Sequence, residues 1–498
     1  MSVTGPGSIT ALNLTAQNNM FSKLTALSQE LGTGQAAQTF SGLDSQAGVA
    51  VELGAQVSAI NGYSATATNV STTLSVAQSV LGQLSQSGAA VAQSISQQGA
   101  FTLNGNGQTT TQQAAAGYLS QILDLLNTQV GGNYMFSGSA VNQPAVASTN
   151  DILNGNGAQQ GLTQTIAQRL QADQGAGNNG RLTVGGTSPA VTLSSDGSPF
   201  GFQLVGVNSS LTGATASGPT GSPPTITINL GSNPNAGDTI SFALTLPDGS
   251  SQTVSLQATT ASPPGANQFT IGADQTATGA NLQTALSTAI GNLAQTALPA
   301  ASAIAASNNF FADPPQIVTP PYSSATTLTN GTAANTVFWY TGENGAMPAL
   351  QTATAQVGPS MTIAYGMRAT EPAITSLIAN VAALAATTFS AADPNAQASY
   401  QALSQSVLGN LNGQSGAQSI SNIESDIANA QTTVKNATAL NTQTQSTLQD
   451  MLQGFEGINQ TQIGEQILTL QNMLSASMSV TARLAQLSLV NFLAPSTG

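Results

Sequence analysis

Residues 53–95 read LGAQVSAINGYSATATNVSTTLSVAQSVLGQLSQSGAAVAQSI. Every seventh residue from Leu53 gives Leu53, Ile60, Ala67, Leu74, Leu81, Gly88 and Ile95, and the column three later gives Gln56, Tyr63, Val70, Ala77, Leu84 and Val91. Apolar residues in two such columns form one stripe along a helix, the seam of a heptad repeat. Sustained over about six heptads, the seam predicts a rod roughly 70–80 Å long. The positions between the columns are mainly Ser, Thr, Gln, Asn, Ala and Gly, not the Lys/Glu pairs of a solvated coiled coil. Those faces are therefore expected to make contacts too.

Toward the N-terminus, Met20, Leu24, Leu27 and Leu31 fall at i, i+4, i+7 and i+11, and Gly32-Thr33-Gly34 supplies a helix stop. Ser41 and Asp44, three residues apart, have the form of a capping box that opens the next helix. The C-terminal end mirrors this pattern. Ser421 and Glu424 form another such pair, followed by one column of Ile423, Ala430, Ala437, Thr444, Met451 and Ile458 and a second of Ile427, Val434, Asn441, Leu448 and Phe455. After a break near Gly454 and Gly457, a last helix carries Ile463, Ile467, Leu470 and Leu474, then Leu484 and Leu487. Neither end has a complete core of its own, so the two are expected to pack on each other. The rest of the chain then emerges between them as an insertion.

From about residue 145 to 405 the pattern changes. Gly and Pro become frequent, and period-two alternation appears in Thr225–Leu230, Thr239–Leu246 and Thr253–Leu256. Pro247-Asp248-Gly249-Ser250 lies between the last two and predicts a hairpin. Leu282, Leu286, Ala289 and Leu293 predict a helix over Ala280–Leu298. Further strands are expected at Thr336–Tyr340 and Met361–Ala364, and a returning helix at Ala373–Thr388. The fold class is α+β: a helical coiled-coil core built from the two ends, with an inserted β-rich outer part. The expected divisions are 1–40 and 41–144 at the N-terminal side, 145–405 for the insertion, and 406–458 and 459–498 at the C-terminal side.

Composition narrows the chemistry. The chain has 498 residues, with 6 Lys+Arg, 19 Asp+Glu and a net charge of -13, so 5% of it is charged where roughly 25% is usual. No basic cluster could follow a phosphate backbone, which argues against nucleic acid as a partner. His and Cys are both absent, which removes disulfides, thiol nucleophiles, His-based triads and His-ligated zinc sites. No apolar run approaches the roughly 20 residues of a membrane span. The N-terminus lacks the basic and apolar regions of a cleaved secretory signal. So sparse a charge is unusual for an exposed monomer and suits surfaces covered by other copies.

Carboxylate pairs are the remaining enzymatic option. Asp238 and Asp248 lie near the expected hairpin, and Glu343 and Glu371 near the only Trp, Trp339, but no spacing forces any two together. The plainer expectation is that they are turn and cap carboxylates. Asp196, Asp248, Asp313 and Asp393 sit in isolated turn signals without the pattern of a calcium loop. Asn104–Gly107 and Asn154–Gly157 lack the Lys and Ser/Thr of a phosphate loop and read as turns. The expectation is a protein without catalytic, cofactor or metal residues.

Leu27–Gly34, followed by Ser41-Gly42-Leu43-Asp44-Ser45-Gln46-Ala47-Gly48-Val49-Ala50, resembles the N-terminal signature of the bacterial flagellin family, which includes the related hook-filament junction proteins. Leu487–Leu493 is similar to the family's usual ending. The resemblance covers about residues 8–140 and 410–498. It implies the family's D0/D1 arrangement, in which terminal helices pair as an inner coiled coil, heptad rods pair outside it, and the middle forms outer domains. The implied partners are identical subunits in a helical homopolymer, the flagellar export apparatus with an export chaperone, and hook-associated and cap proteins. The implied location is the extracellular flagellum, reached unfolded through a type III channel, with free termini that order on assembly. A heterologous contact that never closes would generate the filament. On this reading Leu24, Leu27, Leu31, Ile467, Leu470, Leu474 and Leu484 pack the inner tube, and Leu53, Ile60, Leu74, Leu81, Val434, Leu448 and Phe455 pack the rods.

Two features cut across this. Gly132-Asn133-Tyr134-Met135-Phe136-Ser137-Gly138 resembles an element of the junction proteins, so filament subunit and junction protein both stay open. No Lys or Arg occurs between Lys23 and Arg169, where many family members carry an Arg-containing stretch contacted by an innate-immune receptor. An outer-domain adhesin or glycan-active module is the competing class.

Overall fold

The computed structural model describes residues 6–37, 39, 46–343, 345–413 and 417–492, with the side chains of 6–10 and 484–492 outside the description. The helices among these are α1 (Pro6–Thr33), α2 (Ala47–Ser96), α3 (Thr110–Leu126), α4 (Thr149–Asn154), α5 (Leu162–Gln174), α6 (Gln275–Phe310), α7 (Pro372–Ala386), α8 (Ala396–Leu411), α9 (Ile420–Glu456) and α10 (Gln460–Phe492). The strands are β1 (Gln129–Val130), β2 (Asn133–Tyr134), β3 (Leu182–Gly185), β4 (Ala190–Ser195), β5 (Gln203–Ser209), β6 (Ala214–Thr220) and β7 (Thr225–Leu230). They continue with β8 (Thr239–Thr245), β9 (Ser251–Thr259), β10 (Gln268–Thr270), β11 (Gln316–Val318), β12 (Leu328–Asn330), β13 (Thr354–Gly358) and β14 (Met361–Ala364). The protein is mixed α+β with several small, mainly antiparallel sheets. It divides into two compact units, one of 1–70, 355–363 and 433–498, the other of 71–354 and 364–432.

The first unit joins the two ends of the chain. Helix α1 packs against α10, with Leu27 buried and the Gln17 amide donating to Ser477 Oγ and Thr481 Oγ1. Helix α1 stops where its sequence predicts, because Gly34 takes φ +74°, a left-handed conformation that side-chain-bearing residues rarely adopt. Opposite it, α9 ends at Glu456, and Asn459 Oδ1 caps the start of α10 by accepting the Gln462 N–H. The two breaks are tied together: Ala36 N–H donates to Glu456 O at 2.7 Å, Ile458 N–H to Gly34 O at 3.3 Å, and Gln35 bridges Gly457. Beyond them Leu53 and Ile60 of α2 cluster with Leu448 of α9, with Val57, Tyr63, Leu452 and Phe455 packed alongside. The expected capping box at Ser41 and Asp44 lies outside the described residues.

One segment of the middle also belongs to this unit. The turn of the β13–β14 hairpin lies in it, and Asn441, a polar residue within the heptad column of α9, donates its amide to Val357 O at 2.9 Å. A buried amide without that carbonyl would be costly, so the hairpin explains why the seam tolerates Asn. The other α9 column is less regular, since Met451 is exposed. The expected cap at Ser421 and Glu424 is corrected by two residues toward the N-terminus. Helix α9 starts at Ile420, and Ser419 and Asn422 cap it reciprocally: Asn422 N–H donates to Ser419 Oγ at 3.3 Å and Ser419 N–H to Asn422 Oδ1 at 2.8 Å.

In the second unit, two four-stranded sheets share a core with α6. The sheet β3-β4-β7-β6 is antiparallel, and β10-β9-β8-β5 is antiparallel except for the β9–β10 pair. Alternation along β7 and β8 buries Ile226, Ile228, Leu230, Ile240, Phe242 and Leu244, which meet Leu282, Leu286 and Ile290 of α6. The expected hairpin at Pro247–Ser250 joins β8 to β9. Strands β3 to β6 had no clear sequence signal.

Two expectations are corrected here. Helix α6 does not end at Leu298 but runs through Pro299 to Phe310. Proline has no N–H for the carbonyl four residues earlier; that carbonyl, Gln295 O, instead accepts the buried Ser399 hydroxyl of α8 at 2.9 Å. Residues 336–340 form no strand. Thr336 and Tyr340 make single bridges to Gln160 and Val146, while the fully buried Trp339 donates its indole N–H to Phe311 O at 3.0 Å.

Candidate assembly surface

The polar residues most able to do chemistry are held in structural pairs. Glu343 is ion-paired to Arg368, whose Nη1 also donates to the carbonyls of Gly345 and Met347, both at 2.8 Å. Glu371 accepts from the Gln418 amide at 2.7 Å. Asp248 closes its own turn by accepting from Ser250 N–H. Asp238 Oδ2 accepts the backbone N–H groups of Thr212 and Asn235, which hold its carboxyl below the usual range. The two pairs singled out in the sequence are thus committed separately to local turns and partners.

A charged cluster that the sequence did not reveal lies around Phe200. Arg169 and Arg181 both stand over its ring, at 5.0 and 5.3 Å, from positions twelve residues apart in sequence. Arg169 pairs with Asp173 at 2.8 Å and Arg181 with Asp196 at 2.7 Å. Asp173 is fully buried, and burial pushes its carboxyl up despite Arg169 and the Gly201 N–H. Partial burial acts the same way on Asp196, but the Ser198 N–H and Arg181 outweigh it and hold that carboxyl down. Each guanidinium has a carboxylate counter-charge and the buried Phe200 ring to pack on, which is what a closed structural knot requires.

The terminal helices differ in kind. Large apolar side chains stand in water along all four helices of the first unit: Leu12, Leu14, Phe21 and Leu31 on α1, Val49 and Val51 on α2, Leu440 and Met451 on α9, and Leu468, Met473, Met478 and Val480 on α10. Leu12 is 76% exposed and Leu468 62%. The faces that α1 and α10 turn to each other are already occupied by Leu24, Leu27, Ile467, Leu470 and Leu474, of which Leu27 is buried and the others half-buried. Leu14 and Phe21 are seven residues apart, as are Met473 and Val480. Seven residues return to nearly the same side of a helix, so each helix carries a second apolar face outside the intramolecular seam. Leu14 with Phe21 and Met473 with Val480 thus leave apolar side chains on these paired helices open to solvent.

The remaining sequence-selected residues fall as follows. Leu53, Ile60, Leu74, Leu81, Val434 and Leu448 are buried and Phe455 half-buried. Leu53, Ile60, Leu448 and Phe455 come together in one cluster. Leu31 stands 37% exposed rather than packed. The side chain of Leu484 lies outside the described residues. Leu14, Phe21, Met473 and Val480 were not picked out in the sequence, where nothing separates an apolar residue at helical spacing that will be covered from one that will not.

Among the described residues no helix is long and apolar enough to cross a membrane. In comparisons with known proteins, the chain matches no protein-family model and no curated protein.

Proposed function

We propose that the chain is a structural subunit of the bacterial flagellar filament, exported unfolded and polymerising with identical copies through its terminal helices into a hollow helical propeller. The observation that carries this reading is the second apolar face on the already paired helices α1 and α10. A helix pair that is satisfied internally yet still exposes Leu14, Phe21, Met473 and Val480 has surface to bury against neighbours. A net charge of -13 spread thinly over 498 residues is compatible with close packing of copies. The N-terminal and C-terminal signatures add the family resemblance. On this reading the working residues are apolar seams, and there is no catalytic centre.

One observation favours the hook-filament junction protein instead. The Gly132–Gly138 element is built into the second unit at close tolerance. Phe136 is buried, Ser137 bridges Arg368, and Gly138, at φ +64°, leaves no room for a Cβ beside Glu343. Seeded polymerisation of the purified full chain, viewed by negative-stain electron microscopy, separates the two readings. Long tubes support the filament subunit, short caps on hook ends support the junction protein, and a protein that stays monomeric at every concentration overturns both.

A further inference from the structure

The sulfur of this chain is all thioether: it has nine Met and no Cys. Met1 lies outside the described residues and Met20 and Met361 are half-buried; the other six divide by environment. Met135 and Met367 are buried, at 7% and 5% exposure. Met451, Met473 and Met478 are 49%, 57% and 44% exposed, and all three lie on α9 and α10 among the unpartnered apolar residues of the first unit. Met347, 51% exposed, is the outlier on a loop of the second unit. An exposed thioether is accessible to peroxide, and its sulfoxide is polar where the thioether was apolar. Met473 shares its helix face with Val480, so oxidation would place a strong hydrogen-bond acceptor in the middle of that face.

We propose that Met451, Met473 and Met478 are three separate, reversibly oxidised positions whose sulfoxides gate self-association of the unassembled chain. The gating rests on the polymerisation proposed above; the selectivity of oxidation does not. In the step itself a sulfur lone pair attacks one oxygen of hydrogen peroxide. An S–O bond forms, the O–O bond breaks, and the departing hydroxide takes the proton of the transferred oxygen to leave as water. Sulfur loses two electrons and peroxide gains them. Methionine sulfoxide reductases return the thioether at the expense of two thiols, which become a disulfide as the oxygen leaves as water.

The test uses the full-length soluble chain treated briefly with hydrogen peroxide. Peptide mass spectrometry is expected to find sulfoxide at Met451, Met473 and Met478 at least about tenfold faster than at Met135 and Met367. Sedimentable polymer after seeding is expected to fall by about tenfold or more, and to return after treatment with both reductases and dithiothreitol. A Met451→Leu, Met473→Leu, Met478→Leu variant should polymerise equally with and without peroxide, whereas Met347→Leu should remain sensitive. Equal oxidation of buried and exposed methionines overturns the selectivity. Unimpaired polymerisation of the oxidised chain, or equal sensitivity of the triple variant, overturns the gate. If the untreated chain never polymerises, the functional reading fails and the gate with it, while the mass-spectrometric pattern still decides the selectivity.

Discussion

The side-chain amide of Gln17 in α1 donates to Thr481 Oγ1 in α10 at 3.0 Å, and to Ser477 Oγ one helical turn earlier at 3.2 Å. Thr481 Oγ1 in turn donates to Ser477 O, so one of the two hydroxyls that accept the amide is itself held. Gln17 is a buried polar residue in a thin apolar contact, and it fixes how the first and last helices slide along one another. Each such bond contributes about 1 kcal/mol, and the buried amide would lose more if left unpaired.

Replacing Gln17 by Ala should loosen the α1–α10 pair by about 1–2 kcal/mol. Hydrogen exchange of the α10 amides would then speed up about five- to thirtyfold, while the amides of β7 and β8 stay unchanged. Unchanged exchange in α10 would show that the amide does not hold the pair.

Leu448 sits with Leu53 and Ile60 at the centre of the cluster joining α2 and α9. Leu448→Ala should cost about 2–5 kcal/mol, and Leu448→Asp more, since it buries an unpaired charge. Both should lower the thermal midpoint of the first unit and abolish polymerisation. Tubes of normal length from Leu448→Asp would count against the proposed assembly.

Ser399 and Pro299 should be coupled through one carbonyl. Ser399→Ala leaves Gln295 O without its hydroxyl donor and should cost about 1–3 kcal/mol. In a Pro299→Ala background the restored N–H can take that carbonyl, so the same change should cost much less. A double-mutant cycle measured by denaturant unfolding reads this directly; strict additivity would disprove the substitution of one donor for the other.

Acid should weaken the second unit through Asp196 and Asp238, whose carboxyls are held below the usual range. Such groups contribute stability above their unfolded pKa of about 4, and that stability is lost as pH falls through the folded value. Asp173 works in the opposite sense. Its raised carboxyl binds a proton more tightly when folded, so its contribution is present below the unfolded pKa and lost as pH rises through the folded one. Melting curves taken from neutral pH to below about pH 4 should fall less steeply for Asp196→Asn and Asp238→Asn than for the parent. Parallel curves for all three would remove these carboxylates from the acid response.

Much of the buried helix packing could be read locally. The columns through Leu53, Ile60, Val434 and Leu448 marked buried positions, and Gly34 marked the end of α1, because a helix repeats its faces at a fixed spacing and a left-handed residue ends it. Strands β3, β5 and β6 were hidden because Gly, Ser, Thr and Ala interrupt their alternation, and β4 because its apolar alternation is carried by Val191 and Leu193 alone. The full length of α6 was hidden because Pro299 normally ends a helix, and the donor that rescues its free carbonyl is a hundred residues away.

Which faces of the heptad helices are apolar, where α1 stops and where the β8–β9 hairpin turns follow from the chain's own geometry, so the order of residues alone determined them. Which faces meet was decided only in three dimensions. Asn441 is tolerable in its seam because Val357 arrives to accept its amide, and Arg169 and Arg181 converge on Phe200 with Asp173 and Asp196 beside them. The same holds for Leu14, Phe21, Met473 and Val480, which differ from core residues only in that no other part of the chain among the described residues covers them. The physical reason is that periodicity belongs to one segment, whereas a satisfied carbonyl, a neutralised charge or an uncovered apolar face depends on the segments that come to lie against it.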